Sequence, residues 1–177
     1  FFGDTAETVL AFCAARPARI PRIALVDFNN DCIGDSLATL DAMFARYKAL
    51  SDAGQVEEAR RYVLFGVRLD TGATLRDVSV PPLGDTALDL GVNPRLVFLV
   101  RQALDNAWTR WELSEDWRAW AQEYCRTVKI VVSGGFSPEK IQRFEKLGVP
   151  VDIYAVGSSL FENHGPTVTD FTADVVR

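Results

Sequence analysis

The chain has 177 residues, 48% of them hydrophobic, which suits one domain with a large core. A formal net charge of −5 excludes the broad basic surface that attracts nucleic acid, and no apolar run is long enough to span a membrane. The one histidine, His164, argues against a histidine-built zinc site or a Ser-His-Asp triad within this chain.

Cys13, Cys32 and Cys125 are odd in number, widely spaced and set in helix-like runs. They read as buried thiols of a reducing, cytoplasmic compartment rather than as disulfides or metal ligands. Phe1-Phe2-Gly3-Asp4 has no charged n-region and no initiator Met, so the expectation is a chain whose upstream part has been removed.

Asp4 and Glu7 form a capping box for a helix running to about Ala15, with Val9, Leu10, Phe12 and Cys13 on its apolar face. Pro17 ends it, and Ile20 to Val26 is the first predicted strand. That strand terminates in Asp27-Phe28-Asn29-Asn30-Asp31, which can serve as a turn and N-cap or can hold a metal-bound or hydroxyl-bearing ligand. Leu37, Leu40, Met43, Phe44, Tyr47 and Leu50 predict a long amphipathic helix, followed by a solvated connection over Asp52 to Arg61. Tyr62 to Leu69 is the second predicted strand. Arg68 and Asp70 at its end are two residues apart and therefore share a face, either as a structural ion pair or as ligands of phosphate and ribose hydroxyls.

Thr71 to Gly91 has no clean period and predicts an active-site loop or a disordered one. Asn93-Pro94 opens a helix through Val97, Val100, Leu104 and Ala107, and Ser114 caps the next. Trp108, Trp111, Trp117, Trp120 and Tyr124 read as core or interface filler. Lys129 to Val132 is a short β-branched run that breaks at Ser133-Gly134-Gly135. Ser137 and Pro138 start a helix carrying Ile141, Phe144 and Leu147, and Gly148 stands at its C-cap. Val151 to Tyr154 is the fourth strand, ending at Gly157-Ser158-Ser159, and Thr167 to Val176 is a further strand-like run. Two successive β–α units thus each end a strand in a small-residue loop. Either loop alone reads as a tight turn; the pair favours a phosphate cradle of the kind found after the last strands of a (β/α) barrel.

Strands alternating with helices predict an α/β fold with a parallel sheet and helical crossovers. Ile20–Val26, Val63–Leu69, Val128–Val132 and Val151–Tyr154 should be adjacent and parallel, with helices on the outer face. Four such strands are half a barrel, with unpaired edges and a bare inner face.

The segments IALVDFNND, GVRLDTG, GVNPRLV, KIVVSGGFSPEKI, GVPVDIYAVGSSL and DFTADVV, in this order, resemble nicotinate phosphoribosyltransferase across nearly the whole chain. The resemblance implies an α/β barrel of the type II phosphoribosyltransferase kind, present over residues 1–177 as the C-terminal half of the catalytic barrel. On this reading, residues 167–177 are a strand leading toward a C-terminal extension, and the N-terminal domain and early strands lie upstream. It implies synthesis of nicotinate mononucleotide and pyrophosphate from nicotinate and phosphoribosyl pyrophosphate, in NAD salvage. ATP hydrolysis is coupled, with ATP as co-substrate, and Mg²⁺ is required. It also implies a homodimer, or a complex with the missing N-terminal half. Residue by residue, Ser133, Gly134 and Gly135 would bind the ribose or its 5′-phosphate, and Gly157, Ser158 and Ser159 would close over the same phosphate. Arg68 and Asp70 would lie near the base and ribose diol. Asp27, with Asn30 or Asp31, would lie near pyrophosphate and Mg²⁺.

The chain departs from the family at Ala155, where glycine is frequent, and at Asn29-Asn30, which interrupts an acidic, tyrosine-containing pattern. The phosphorylatable histidine of the family would lie ahead of Phe1, and His164 is on the wrong side of every motif to replace it. Leu69 to Leu75 (LDTGATL) superficially resembles the other phosphoribosyltransferase fold but lacks its paired acids. A quinolinate phosphoribosyltransferase-like enzyme is the enzymatic alternative, and a half barrel that binds phosphate without catalysis is the non-enzymatic one.

Overall fold

The computed structural model describes residues 3–157. The predicted run Thr167 to Val176, together with Ser158, Ser159 and His164, lies outside these residues.

Helix α1 (Thr5–Ala15) begins as the capping box requires, with the Glu7 N–H donating to Asp4 Oδ1 at 2.7 Å. Strand β1 (Ile23–Leu25) leads to the long helix α2 (Cys32–Asp52). Then come the short α3 (Val56–Ala59), a 3₁₀ turn (Arg60–Tyr62) and strand β2 (Gly66–Leu69). After one short helix, α4 (Thr86–Asp89), follow α5 (Pro94–Asn106), a 3₁₀ turn (Ala107–Arg110) and α6 (Glu115–Thr127). Strand β3 (Lys129–Val132), α7 (Pro138–Lys146) and β4 (Ile153–Tyr154) complete the order.

The four strands form one parallel sheet in the order β1-β2-β3-β4. The fold is therefore α/β, with an all-parallel sheet of four strands among the described residues. Because neighbouring strands follow chain order, right-handed crossovers place every connecting helix on the same side. Burial agrees. Ala24, Val67 and Ile130 share one level, with Leu69 and Val132 above them, and all five are at most 1% exposed beneath the helices. On the opposite face Ile23, Leu25 and Ile153 remain about 40% exposed.

Three strands are shorter than expected: β4 forms only at Ile153–Tyr154, and β1 and β2 both begin late. The Arg22 carbonyl accepts from both the Phe65 and Gly66 N–H groups, so the ladder starts there. Ahead of it the chain is held by side chains. The buried Arg22 guanidinium donates to the carbonyls of Arg16, Pro17, Ile20 and Arg61, and the Leu64 N–H donates to the Tyr124 hydroxyl. These contacts satisfy backbone groups that a longer strand would have paired.

The aromatic segment joins helices. Phe44 of α2 stacks on Trp111 at 3.9 Å between ring centroids, and Tyr47 stacks on Trp120 at 4.6 Å. Trp111 and Trp117 donate from their indole N–H groups to Asp41 and Asp52. Residues 71–91 are ordered rather than free. Asp77 is fully buried and accepts from the N–H groups of Cys32 and Ser79, while Asp89 accepts from those of Leu83 and Gly84 and pairs with Arg95. Two buried carboxylates, each with backbone donors, replace the missing hydrophobic period. All three cysteines are buried free thiols, and among the described residues no helix is long and apolar enough to cross a membrane.

Candidate functional site at the strand ends

In a parallel sheet the C-terminal ends of the strands rise together, and ligands of open α/β sheets bind beyond those ends. Here β1 ends in Asp27, β2 in Arg68 and Asp70, and β3 in Ser133-Gly134-Gly135. The register brings Leu25, Arg68 and Val131 to one level, so Asp27, Asp70 and Ser133 follow at the next inner-facing step.

Arg68 and Asp70 approach to 3.8 Å, both more than one-third exposed, a loose pairing in contact with solvent. The Arg68 Nε is nonetheless buried without a partner among the described residues, as is Asp27 Oδ1. Burial pushes the Asp27 carboxyl above its ordinary range. A hydrogen bond from its own backbone is the main opposing influence, Asp70 and Asp77 reinforce the rise, and Arg68 works against it. A partnered structural ion pair would leave neither group unsatisfied. Two orphaned polar atoms at neighbouring strand ends suit a ligand that carries both an anion and donors.

Gly134 ties the second and third strand ends together. It holds φ +86°, and a Cβ there would lie 3.1 Å from Asp70 Oδ1 and 3.6 Å from the Thr71 carbonyl. Gly135 follows at φ +68°, with open space where its side chain would be. Two successive glycines let the backbone approach Asp70 with no side chain shielding its amides. Ser133 anchors the turn from below, its N–H donating to the Leu69 carbonyl at 2.9 Å and its hydroxyl to the same oxygen at 3.3 Å. Helix α7 starts directly after, with Ser137 Oγ accepting from the Lys140 N–H.

Lys140, which sequence reasoning did not single out, folds its ammonium over the Phe136 ring at 4.2 Å and donates to the Gly134 carbonyl at 3.3 Å. Burial pulls its pKa below the ordinary value. The available signal was its place three residues after the Ser137 cap, where a side chain can reach back toward the preceding turn. Asp77 was also missed. Its aperiodic surroundings carry no signal that the carboxylate is buried and close enough to act on Asp27.

The remaining expected residues sit elsewhere. Asp31 caps α2, its Oδ1 accepting from the Gly34 N–H and the Ser79 hydroxyl. Asn30 occupies left-handed backbone at φ 54°, and its side chain donates to the Arg76 carbonyl. Both hold the loop of residues 76–79 to the helix start, so the turn-and-cap reading describes them, while Asp27 alone of that segment joins the Arg68–Asp70 cluster. Gly157 is exposed, and a Cβ there would meet nothing within 4 Å. Among the described residues no group of three or more His, Cys, Asp or Glu side chains is arranged to hold a metal ion. Comparison of the chain with protein-family models, with curated proteins and with solved structures finds no match.

Proposed function

We propose that these strand ends hold the ribose and 5′-phosphate of a phosphoribosyl donor, and that the chain is the phosphoribosyl-binding part of a nicotinate phosphoribosyltransferase. The observation that carries the reading is the abutment of Gly134 on Asp70 beside Arg68. One site combines a backbone turn for a phosphate, a carboxylate for a diol and a guanidinium with an orphaned nitrogen. Displacement at an anomeric carbon passes through an oxocarbenium-like state. The tasks are then to anchor phosphate, orient the diol and stabilise the departing pyrophosphate, and no covalent nucleophile is needed.

Mg²⁺ fits this site through few protein groups, since it keeps waters and is bound by one or two carboxylates together with substrate phosphates. Asp27, with its orphaned oxygen, and Asp70 would hold it, and it would neutralise charge on the pyrophosphate. Asp31 and Asn30, engaged in the fold, suit that role less well. Their engagement also favours, as a second reading, a half barrel that binds phosphate and catalyses nothing.

Titration calorimetry with phosphoribosyl pyrophosphate tests the site, and synthesis of nicotinate mononucleotide tests the reaction. Residues 1–177 alone should bind phosphoribosyl compounds weakly and show no ATP-coupled turnover. In a catalytically complete polypeptide Asp70→Asn should lose most turnover while phosphate stays bound. Unchanged turnover in that variant would remove Asp70 from its role; no binding of phosphoribosyl pyrophosphate by the parent chain would remove the site.

A further inference from the structure

The turn after β3 is fixed at both ends and lightly held in the middle. Ahead of it, the Ser133 N–H and hydroxyl both donate to the Leu69 carbonyl. Behind it, Ser137 caps α7. Between them stands the peptide that joins Gly134 to Gly135, with φ +86° before it and +68° after it. Neither residue has a Cβ, so turning that peptide over, which swaps the directions of its C=O and N–H, meets little steric resistance. A trans peptide points these two groups in opposite directions. Whatever holds the Gly134 carbonyl therefore also sets where the Gly135 N–H points.

Among the described residues the Gly134 carbonyl has one hydrogen-bond partner, the Lys140 ammonium at 3.3 Å. Lys140 is itself held in place. Its nitrogen lies 4.2 Å from the centroid of the Phe136 ring, which is 2% exposed. Phe136 in turn lies edge-on to Phe144 of α7 and tilted against Tyr154 of β4. The ammonium is partly withdrawn from water, and no carboxylate among the described residues forms an ion pair with it; burial alone lowers its pKa. A lysine that served only solubility would keep its charged head in water. Here part of that hydration is exchanged for a ring face and a single carbonyl.

We propose that Lys140 is a positioning residue, which locks the Gly134–Gly135 peptide with its carbonyl turned to the lysine and the Gly135 N–H turned to the opposite side, as a donor to the phosphate. The inference rests on the phosphoribosyl reading of this site and adds a residue to it. No acceptor among the described residues meets the Gly135 N–H, so it is available to a ligand. A charged donor on the carbonyl also polarises the peptide and strengthens the N–H at its other end. The lysine acts through the peptide and does not itself touch the phosphate.

The test compares two variants of the 177-residue chain. Lys140→Met keeps an apolar stem over Phe136 but removes donor and charge, whereas Lys140→Arg keeps both. Nuclear magnetic resonance reads the peptide without any ligand, because the HN–Hα couplings of Gly135 and the NOE from its amide to the Gly134 Hα protons change when the peptide turns over. The parent and Lys140→Arg should give one set of values, that of φ +68° at Gly135, and Lys140→Met averaged values or a second set. Titration with ribose 5-phosphate should give a dissociation constant raised at least about fivefold in Lys140→Met, the scale of one net hydrogen bond, and restored to within about twofold of the parent in Lys140→Arg. Unchanged Gly135 couplings in Lys140→Met would overturn the inference; a fall in affinity would then be an effect of charge alone. Changed couplings with unchanged affinity would overturn it as well. A parent chain that binds no ribose 5-phosphate would refute the phosphoribosyl reading, and the couplings would still decide whether Lys140 holds the peptide.

Discussion

Substituting alanine at Gly134 and, separately, at Gly135 isolates the contact on which the proposed site depends. Both glycines hold positive φ, +86° and +68°, so each alanine carries a backbone cost of about 1–2 kcal/mol. Only at Gly134 does the new Cβ meet something: Asp70 Oδ1 at 3.1 Å, closer than ordinary van der Waals contact. The Asp70 side chain is 36% exposed and can move by a few tenths of an ångström, so the clash adds about 1 kcal/mol at most. The two variants should therefore unfold at similar temperatures, each lowered by about 2–4 °C per kcal/mol for a chain of this size. Binding should separate them. Gly134→Ala displaces the carboxylate assigned to the ribose diol, and the dissociation constant for phosphoribosyl pyrophosphate should rise at least about tenfold, the equivalent of about 1.4 kcal/mol. Gly135→Ala, whose Cβ enters open space and leaves Asp70 in place, should weaken binding by a smaller factor, through partial shielding of the cradle amides alone. Calorimetric titration of both, beside thermal unfolding followed by circular dichroism, gives the comparison. If Gly134→Ala binds as the parent does, or if the two variants lose affinity equally, the Gly134–Asp70 contact is not part of the ligand site.

Asp27 supplies a pH dependence. Its folded pKa is raised by burial first and by Asp70 and Asp77 next, so its stabilising contribution is complete below the ordinary 3.8 and is lost as pH rises through the folded value. Asp27→Asn should accordingly be at least as stable as the parent at pH 7 and show a flatter denaturant midpoint above pH 4; a variant less stable at pH 7 would contradict this. Arg22→Met removes the one side chain that satisfies the carbonyls of Arg16, Pro17, Ile20 and Arg61, and should cost about 3–5 kcal/mol in guanidinium unfolding. A loss below about 1 kcal/mol would mean that water reaches those carbonyls in the folded protein.

The local order of this protein is legible in its residues. Asp4 and Glu7, Asn93-Pro94 and Ser137-Pro138 announce helix starts that the structure places where expected, because caps act within one turn of chain. The β-branched runs at Ile23, Val67 and Ile130 announce strands for the same reason. Strand neighbours and direction follow from alternation with helices, since short crossovers permit few arrangements. Whether Arg68 and Asp70 were a closed ion pair or open to a ligand depended on burial around Nε and on the approach of Gly134, sixty-four residues beyond Asp70. No local pattern encodes that distance. The same holds for Asp31 and Asn30, equally good on paper as ligands or as turn residues. A loop centred on Asp77 and Ser79 folds back against them and makes them part of the fold. Hydrogen bonds between segments far apart in the chain are decided by how helices and sheet pack, so only the tertiary structure assigns them.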